Sequence, residues 1–251
     1  MTSRVCVVTG AGRGIGRAAA IHLSGQGHRV ALVARTESEL VSTAAECPGE
    51  TLVLPTDVTR PDSAGEILDT IAEKWGLTQI LVAAAGRNRS AKLDETTDSH
   101  WQSMLDLNLT SVFQWLRAAL PPMAANGWGR AIVVSSIAGK RGFKHLSAYA
   151  AAKHGVIGLV RSAALELAHT GVTVNAVCPA YVDTELTERT IESIVAQAGW
   201  TRADALHHVN SLQPIGRMIS TNEVVQALSA LIDNAGMTGQ SIHVDGGLVH
   251  G

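Results

Sequence analysis

Apolar residues fall in short runs along this chain, and most runs are followed by a stretch of helical spacing. RVCVVT at 4–9 ends at a glycine and gives way to a helical pattern at 15–24. HRVALVA and TLVLPTDVT are the second and third strand-like runs, and a helix is expected at 62–75. TQILVAAAG is the fourth run. The segment 98–125 then places Trp101, Leu105, Leu109, Val112, Phe113 and Leu116 at spacings suited to one buried helical face. AIVVSS, the helix-forming AYAAAKHGVIGLVRSAALELA, GVTVNAVCPAYVDT, a helix at 221–232 and QSIHVDGG complete the series. This alternation predicts an α/β fold, with one domain over 1–251 built on a doubly wound parallel sheet of about seven strands with helices on both faces. Residues 184–216 break the alternation: TERTIESIVAQA and TRADALHHVN follow each other without a strand and predict a small helical lid. Thr201 and Asp204 mark the start of its second helix, with Thr201 as the capping side chain.

The composition narrows the chemistry. At 251 residues and 46% hydrophobic content the chain can bury a full core, and 20 basic against 22 acidic residues give a formal charge of -2. No field favours nucleic acid or an anionic membrane, so a small-molecule substrate is expected. Cys6, Cys47 and Cys178 are odd in number and lack metal-ligand spacing, and the adjacent His207 and His208 point apart on a helix, so no metal is expected. The start MTSRVCVVTG enters a strand without a signal pattern, and Lys153, His154, Arg161 and Glu166 interrupt the alanine-rich helix. A cytoplasmic protein is the expectation.

The stretch TGAGRGIG lies between the first strand and the first helix, where a phosphate loop belongs. Gly10, Gly14 and Gly16 permit tight backbone, and with Ile15 they lead into a helix N-terminus whose amides point at a pyrophosphate. After the second strand an NAD-binding chain of this layout would place an acid for the ribose hydroxyls; here Ala34 and Arg35 stand instead. Arg35 and Arg13, inside the glycine loop, offer two guanidinium groups to a 2'-phosphate, so NADP(H) is expected rather than NAD(H).

A second set of polar groups lies between Ser136 and Lys153. Tyr149 and Lys153 are four apart in a helical pattern and share a face. A tyrosine hydroxyl ordinarily titrates near a pKa of about 10, and an adjacent ammonium favours the phenolate, which makes Tyr149 a usable acid or base. Ser136, at the end of the fifth strand, can donate to a carbonyl oxygen as negative charge develops. The three roles fit one substrate oxygen and a hydride transfer to or from its carbon. Y-x-x-x-K alone is common on helices, so its neighbours carry the reading. No G-x-S-x-G elbow surrounds Ser136, which argues against serine hydrolysis.

The serine at this spacing, TGAGRGIG and the ending VDGG resemble the short-chain dehydrogenase/reductase family over essentially the whole chain. The resemblance implies a Rossmann-type sheet and a set of further roles. Asp57 and Val58 would flank the adenine. Ala84, Ala85 and Gly86 stand where the family has N-A-G, within A-A-A-G for N-N-A-G, with contacts to the cofactor through backbone and a strand less firmly tied. Asn108, in DLNLTSVF, matches the fourth catalytic residue, which holds a water linked to the lysine. Pro179 and Ala180 replace proline then glycine in the nicotinamide loop, with Val182 and Thr184 at the carboxamide, while Asn175 supports its strand. Lys153 would also hold the nicotinamide ribose, Tyr149 would pass the hydroxyl proton, and a homotetramer is implied.

The resemblance is strongest to 3-oxoacyl thioester reductases, polyketide ketoreductases and 3-hydroxybutyrate dehydrogenases. The last group usually carries a carboxylate-gripping lysine where Leu146 stands, so a small keto acid lacks an anchor. Arg87, Arg89, Lys140, Arg141 and Lys144 form an expected basic mouth that could meet the phosphates of a coenzyme A arm, while Gly127 and Thr170 stand where carrier-protein reductases tend to be basic. A 3-oxoacyl/3-hydroxyacyl thioester is the first expectation. A cyclic or polyketide-like ketone or a hydroxy acid is the alternative, and a cofactor-binding regulator the rival from outside catalysis. Trp200, Leu206, His207 and His208 of the lid are candidate substrate contacts alongside Arg87 and Leu146.

Overall fold

A computed structural model describes residues 3–249. β1 (Val5–Thr9), β2 (Arg29–Ala34), β3 (Thr51–Pro55), β4 (Ile80–Ala83), β5 (Gly129–Val134), β6 (Val172–Pro179) and β7 (Ser241–Val244) form one sheet. Their order is β3-β2-β1-β4-β5-β6-β7 and every pairing is parallel. The order reverses between β1 and β4, so the connections leaving those strands diverge and open a crevice above their carboxyl ends.

Between the strands lie α1 (Gly14–Gly25), α2 (Glu37–Glu46), α3 (Ser63–Trp75), α4 (Asp98–Leu105), α5 (Ser111–Ala125), α6 (Ser147–Glu166) and α9 (Thr221–Asp233). The strands are apolar on both faces because helices cover both. Alternate residues of β1 separate into two cores. Val5 and Val7 pack with Ile71 of α3, Trp115 of α5 and Val160 of α6. Cys6 and Val8 pack with Leu23 of α1, Leu40 of α2 and Leu228 of α9.

The expected helix at 98–125 is not continuous. A π-helical turn at Asp106–Thr110 separates α4 from α5 and carries Asn108. The extra residue in that turn shifts the phase of the buried face. Val112 and Leu116 are buried as expected, whereas Trp101 and Phe113 are 40% and 42% exposed. The phase shift corrects the single-face reading.

The lid consists of α7 (Glu185–Ala198) and α8 (Arg202–Ser211), and Thr201 caps α8 by accepting from the Asp204 amide. Ile191, Ala205 and Val209 form its own small core, with Tyr181, Leu206 and Met218 packed against it. Its two ends meet where Val182 and Ile219 pair as an isolated bridge, so the excursion leaves the body and returns at one point. Among the described residues no helix is long and apolar enough to cross a membrane.

Candidate active site

A cleft of about 450 Å³ runs over the carboxyl ends of β1, β4, β5 and β6. Its lining includes Gly10, Arg13, Gly14, Ile15, Gly16, Arg35, Asp57, Val58, Ala84, Ala85, Gly86, Ser136, Tyr149, Lys153, Pro179, Ala180, Val182 and Thr184. The residues expected at a dinucleotide and those expected at a carbonyl therefore share one continuous cavity.

The glycine loop is built for close approach. Gly10 has a φ of 70°, and a Cβ there would lie 2.8 Å from the Ala85 backbone. α1 then begins with no side chain capping it and no acid in its first turn, so its leading amides have no side-chain acceptor. An uncapped helix start facing a cleft between diverging connections fits the pyrophosphate of a dinucleotide.

The neighbouring strand end is held in a way the sequence did not reveal. The alanines at 83–85 lack the amide side chains of the family pattern, but the Thr9 hydroxyl accepts from the Ala84 and Ala85 amides at 3.2 and 3.3 Å. Thr9 is thus a tie on this strand end that does not depend on the missing amide side chains. At the adenosine end, the Asp57 carboxylate accepts from the Thr59 amide and hydroxyl at 2.9 and 2.7 Å. Burial works against its ionisation, but those hydrogen bonds and the charges of Arg35 and Arg87 outweigh it and hold the carboxyl below its ordinary range. Glu39 of α2 also lines this end of the cleft, its carboxylate lying against Gly12. No acid follows β2 directly, yet one reaches the site from the next helix, five residues past the strand.

At the other end, Ser136 is the first residue after a buried serine at the end of β5 and caps the short 3-10 turn Ile137–Gly139, its Oγ accepting from the Ala138 amide at 3.1 Å. α6 brings Tyr149 and Lys153 to the same wall. Lys153 is buried, and its Nζ donates to the Val134 carbonyl at 2.9 Å, which fastens the side chain to the end of β5. The Nζ stands 5.7 Å from the Tyr149 ring centroid, over the ring.

That placement corrects one expectation. Burial pushes the Tyr149 hydroxyl up to about 12, and its hydrogen bond with Ser136 only partly offsets this. Burial likewise pushes the Lys153 ammonium down to about 8. Desolvation thus shifts Tyr149 in the direction opposite to the one expected from the neighbouring ammonium.

Asn108 is fully buried, and its side chain is committed to the chain itself. Nδ2 donates to the Arg87 and Met104 carbonyls at 3.0 Å each, and Oδ1 accepts from the Arg87 amide at 3.2 Å. It thus pins the loop after β4, and a Cβ on Gly86 would lie 3.0 Å from Asn108 Oδ1 and 3.7 Å from Lys153 Nζ.

Of the candidate substrate contacts, Arg87 lines the cleft, while Leu146 and Trp200 do not. Leu146 packs with Ala138, Tyr149 and Ala150, supporting the tyrosine from behind. Trp200 stacks edge-on against His208 at 5.2 Å and faces outward, and Leu206 turns into the lid's core. Arg141 lies over Phe143 and does not line the cavity, nor do Arg89, Lys140 and Lys144. In their place the structure brings Ser103, Asp106, Leu186, Thr187 and Arg189 to the wall. These come from α4, the π turn and the first turns of α7, whose approach depends on packing that no local motif encodes. Asn175 supports its strand as expected, donating to the Met237 carbonyl and accepting from the Gln240 amide in the segment that leads into β7. Among the described residues no cluster of three or more His, Cys, Asp or Glu could hold a metal.

A family model described as short chain dehydrogenase matches residues 4–195. The chain is 38% identical to a monensin polyketide synthase putative ketoacyl reductase from Streptomyces virginiae, with 98% of this chain and 97% of that protein covered. It is 35% identical to the 3-oxoacyl-(acyl-carrier-protein) reductase FabG of Escherichia coli K12, with 98% and 97% covered. An actinorhodin polyketide ketoreductase variant solved with NADPH superposes with a TM-score of 0.95 at 34% identity, covering 98% of this chain and 97% of that one. The sheet order, the glycine loop and the Ser136, Tyr149 and Lys153 wall agree with the match, and the chain belongs to the short-chain dehydrogenase family of oxidoreductases.

Proposed function

We propose that this protein interconverts a ketone and a secondary alcohol with NADP(H), and that its substrate is a 3-oxoacyl or 3-hydroxyacyl thioester. The observation that carries the reading is the convergence of Ser136, Tyr149 and Lys153 on the cleft that begins at the glycine loop. Bound in that cleft, the nicotinamide supplies or accepts the hydride. Tyr149 holds a proton on its hydroxyl for the substrate oxygen, and burial keeps it there at neutral pH. Ser136, on the same wall as Tyr149, offers its hydroxyl to the same oxygen as charge develops. Lys153 sets a positive charge over the tyrosine ring, and Asn108 positions the loop that faces it.

NADP(H) rather than NAD(H) is supported by Arg13 and Arg35 at the adenosine end and by the NADPH named for the actinorhodin ketoreductase. The thioester is supported by the names of the ketoacyl and 3-oxoacyl reductase relatives, and by Arg87 and Arg189 in the cleft wall, two cations that could meet a phosphate-bearing arm. A homotetramer belongs to the same reading. Phe113 of α5 and Leu165 of α6, 42% and 80% exposed, support subunit contacts on those helices. Cytoplasmic placement is supported by three cysteines that form no disulfide.

The test is turnover of acetoacetyl-CoA, acetoacetate and a bulky cyclic ketone with NADPH and with NADH. Reduction of the thioester with NADPH is expected. Turnover of the cyclic ketone alone would keep the reaction and replace the substrate.

A further inference from the structure

Arg13, the residue preceding α1, is engaged by two acids from distant parts of the chain. Its Nη1 lies 3.0 Å from Glu185 Oε2 and 3.6 Å from Glu39 Oε1. Glu185 is the first residue of the lid helix α7, and Glu39 belongs to α2. The approach of Glu39 is fixed by packing of α2 on the glycine loop. The Thr43 hydroxyl bonds both the Glu39 and the Ala11 carbonyl at 3.0 Å, tying that turn of α2 to the glycine loop. A Cβ on Gly12 would stand 2.7 Å from Glu39 Oε2, so only glycine leaves the carboxylate its place. Arg13, Arg35, Glu39 and Glu185 all line the same cleft.

We propose that Glu39 and Glu185 are specificity-determining residues that hold Arg13 back from the 2'-phosphate, so the preference for NADP(H) is narrower than two arginines alone would set. The inference rests on the NADP(H) reading above. A 2'-phosphate must draw Arg13 away from both carboxylates before using it, whereas a 2'-hydroxyl displaces neither. Side-chain exposures of 43% for Arg13, 35% for Glu39 and 61% for Glu185 place these among surface pairs, each worth a few-fold in an equilibrium.

The test is the equilibrium dissociation constant of NADPH and of NADH, read from nucleotide fluorescence on the full chain. It compares wild type, Glu39→Gln, Glu185→Gln and the double variant, each also in an Arg13→Ala background. Each single change is expected to tighten NADPH about threefold and the double about tenfold, with NADH moving by less than about twofold. The gains disappear once Arg13 is alanine. An unchanged or weaker NADPH constant in the double variant overturns the inference, as does equal tightening of NADH or a gain that survives Arg13→Ala. Wild type that binds NADH as tightly as NADPH, with Arg35→Ala inert, would remove the NADP(H) reading itself. A wild-type preference for NADPH with an unresponsive double variant would remove only this inference.

Discussion

Burial sets the two central side chains of the site in opposite directions, Tyr149 up to about 12 and Lys153 down to about 8. As pH rises through about 8, Lys153 loses its charge while Tyr149 keeps its proton. Ketone reduction needs both the Tyr149 proton and the lysine charge. Its kcat/KM is therefore expected to be level below that pH and to fall above it, in a profile of rate against pH. A limb that falls only beyond the ordinary range of lysine would show that burial does not govern the pair. At the adenosine end, Arg35→Ala is expected to weaken NADPH about tenfold while leaving NADH within about twofold, measured by titration. Ser136, Tyr149 and Lys153 were legible because a strand end and two residues on one helix face are local patterns. The direction of the Tyr149 shift was not legible, since it depends on how deeply α6 is covered. Glu39 escaped notice because its partner, Gly12, is near only after α2 packs on the glycine loop.

The elements show where helical and strand patterns suffice and where they fail. β1 to β7 and most helices between them follow the hydrophobic periodicity, because strands covered on both faces read as apolar runs and helices as striped ones, whereas the short polar α2 was not anticipated. The π turn at Asp106–Thr110 left no such trace, since its residues are those of an ordinary helix and only tertiary packing adds the extra residue to the turn. Thr9 likewise reads as a plain strand residue, although its hydroxyl accepts from the Ala84 and Ala85 amides. Thr9→Val keeps the shape and removes the acceptor, which leaves the Ala85 amide without that partner. A loss of about 1–2 kcal/mol in denaturant unfolding is expected. A change within about 0.5 kcal/mol would mean that the strand end needs no such tie.

For the whole molecule, the reversal of strand order between β1 and β4 is what puts phosphate loop and reactive wall in one cleft, and that topology followed from the alternation of elements. The mouth did not follow. Of five basic residues expected there, Arg87 alone lines the cavity, and of the lid Arg189 lines it while Trp200 does not. Which lid residues face substrate is decided by the core of Ile191, Ala205 and Val209, a contact between two helices. In the proposed tetramer, Leu165→Glu is expected to lower the mass seen by light scattering to that of a dimer or monomer, and an unchanged mass would move the interface elsewhere.

The central claim, that Tyr149 serves a carbonyl in this cleft, is tested most directly by the rate of NADPH consumption with acetoacetyl-CoA in wild type and in Tyr149→Phe. The account predicts clear turnover by wild type and a loss of about a thousandfold in the variant, with NADPH binding retained. Equal rates from the two proteins would contradict it.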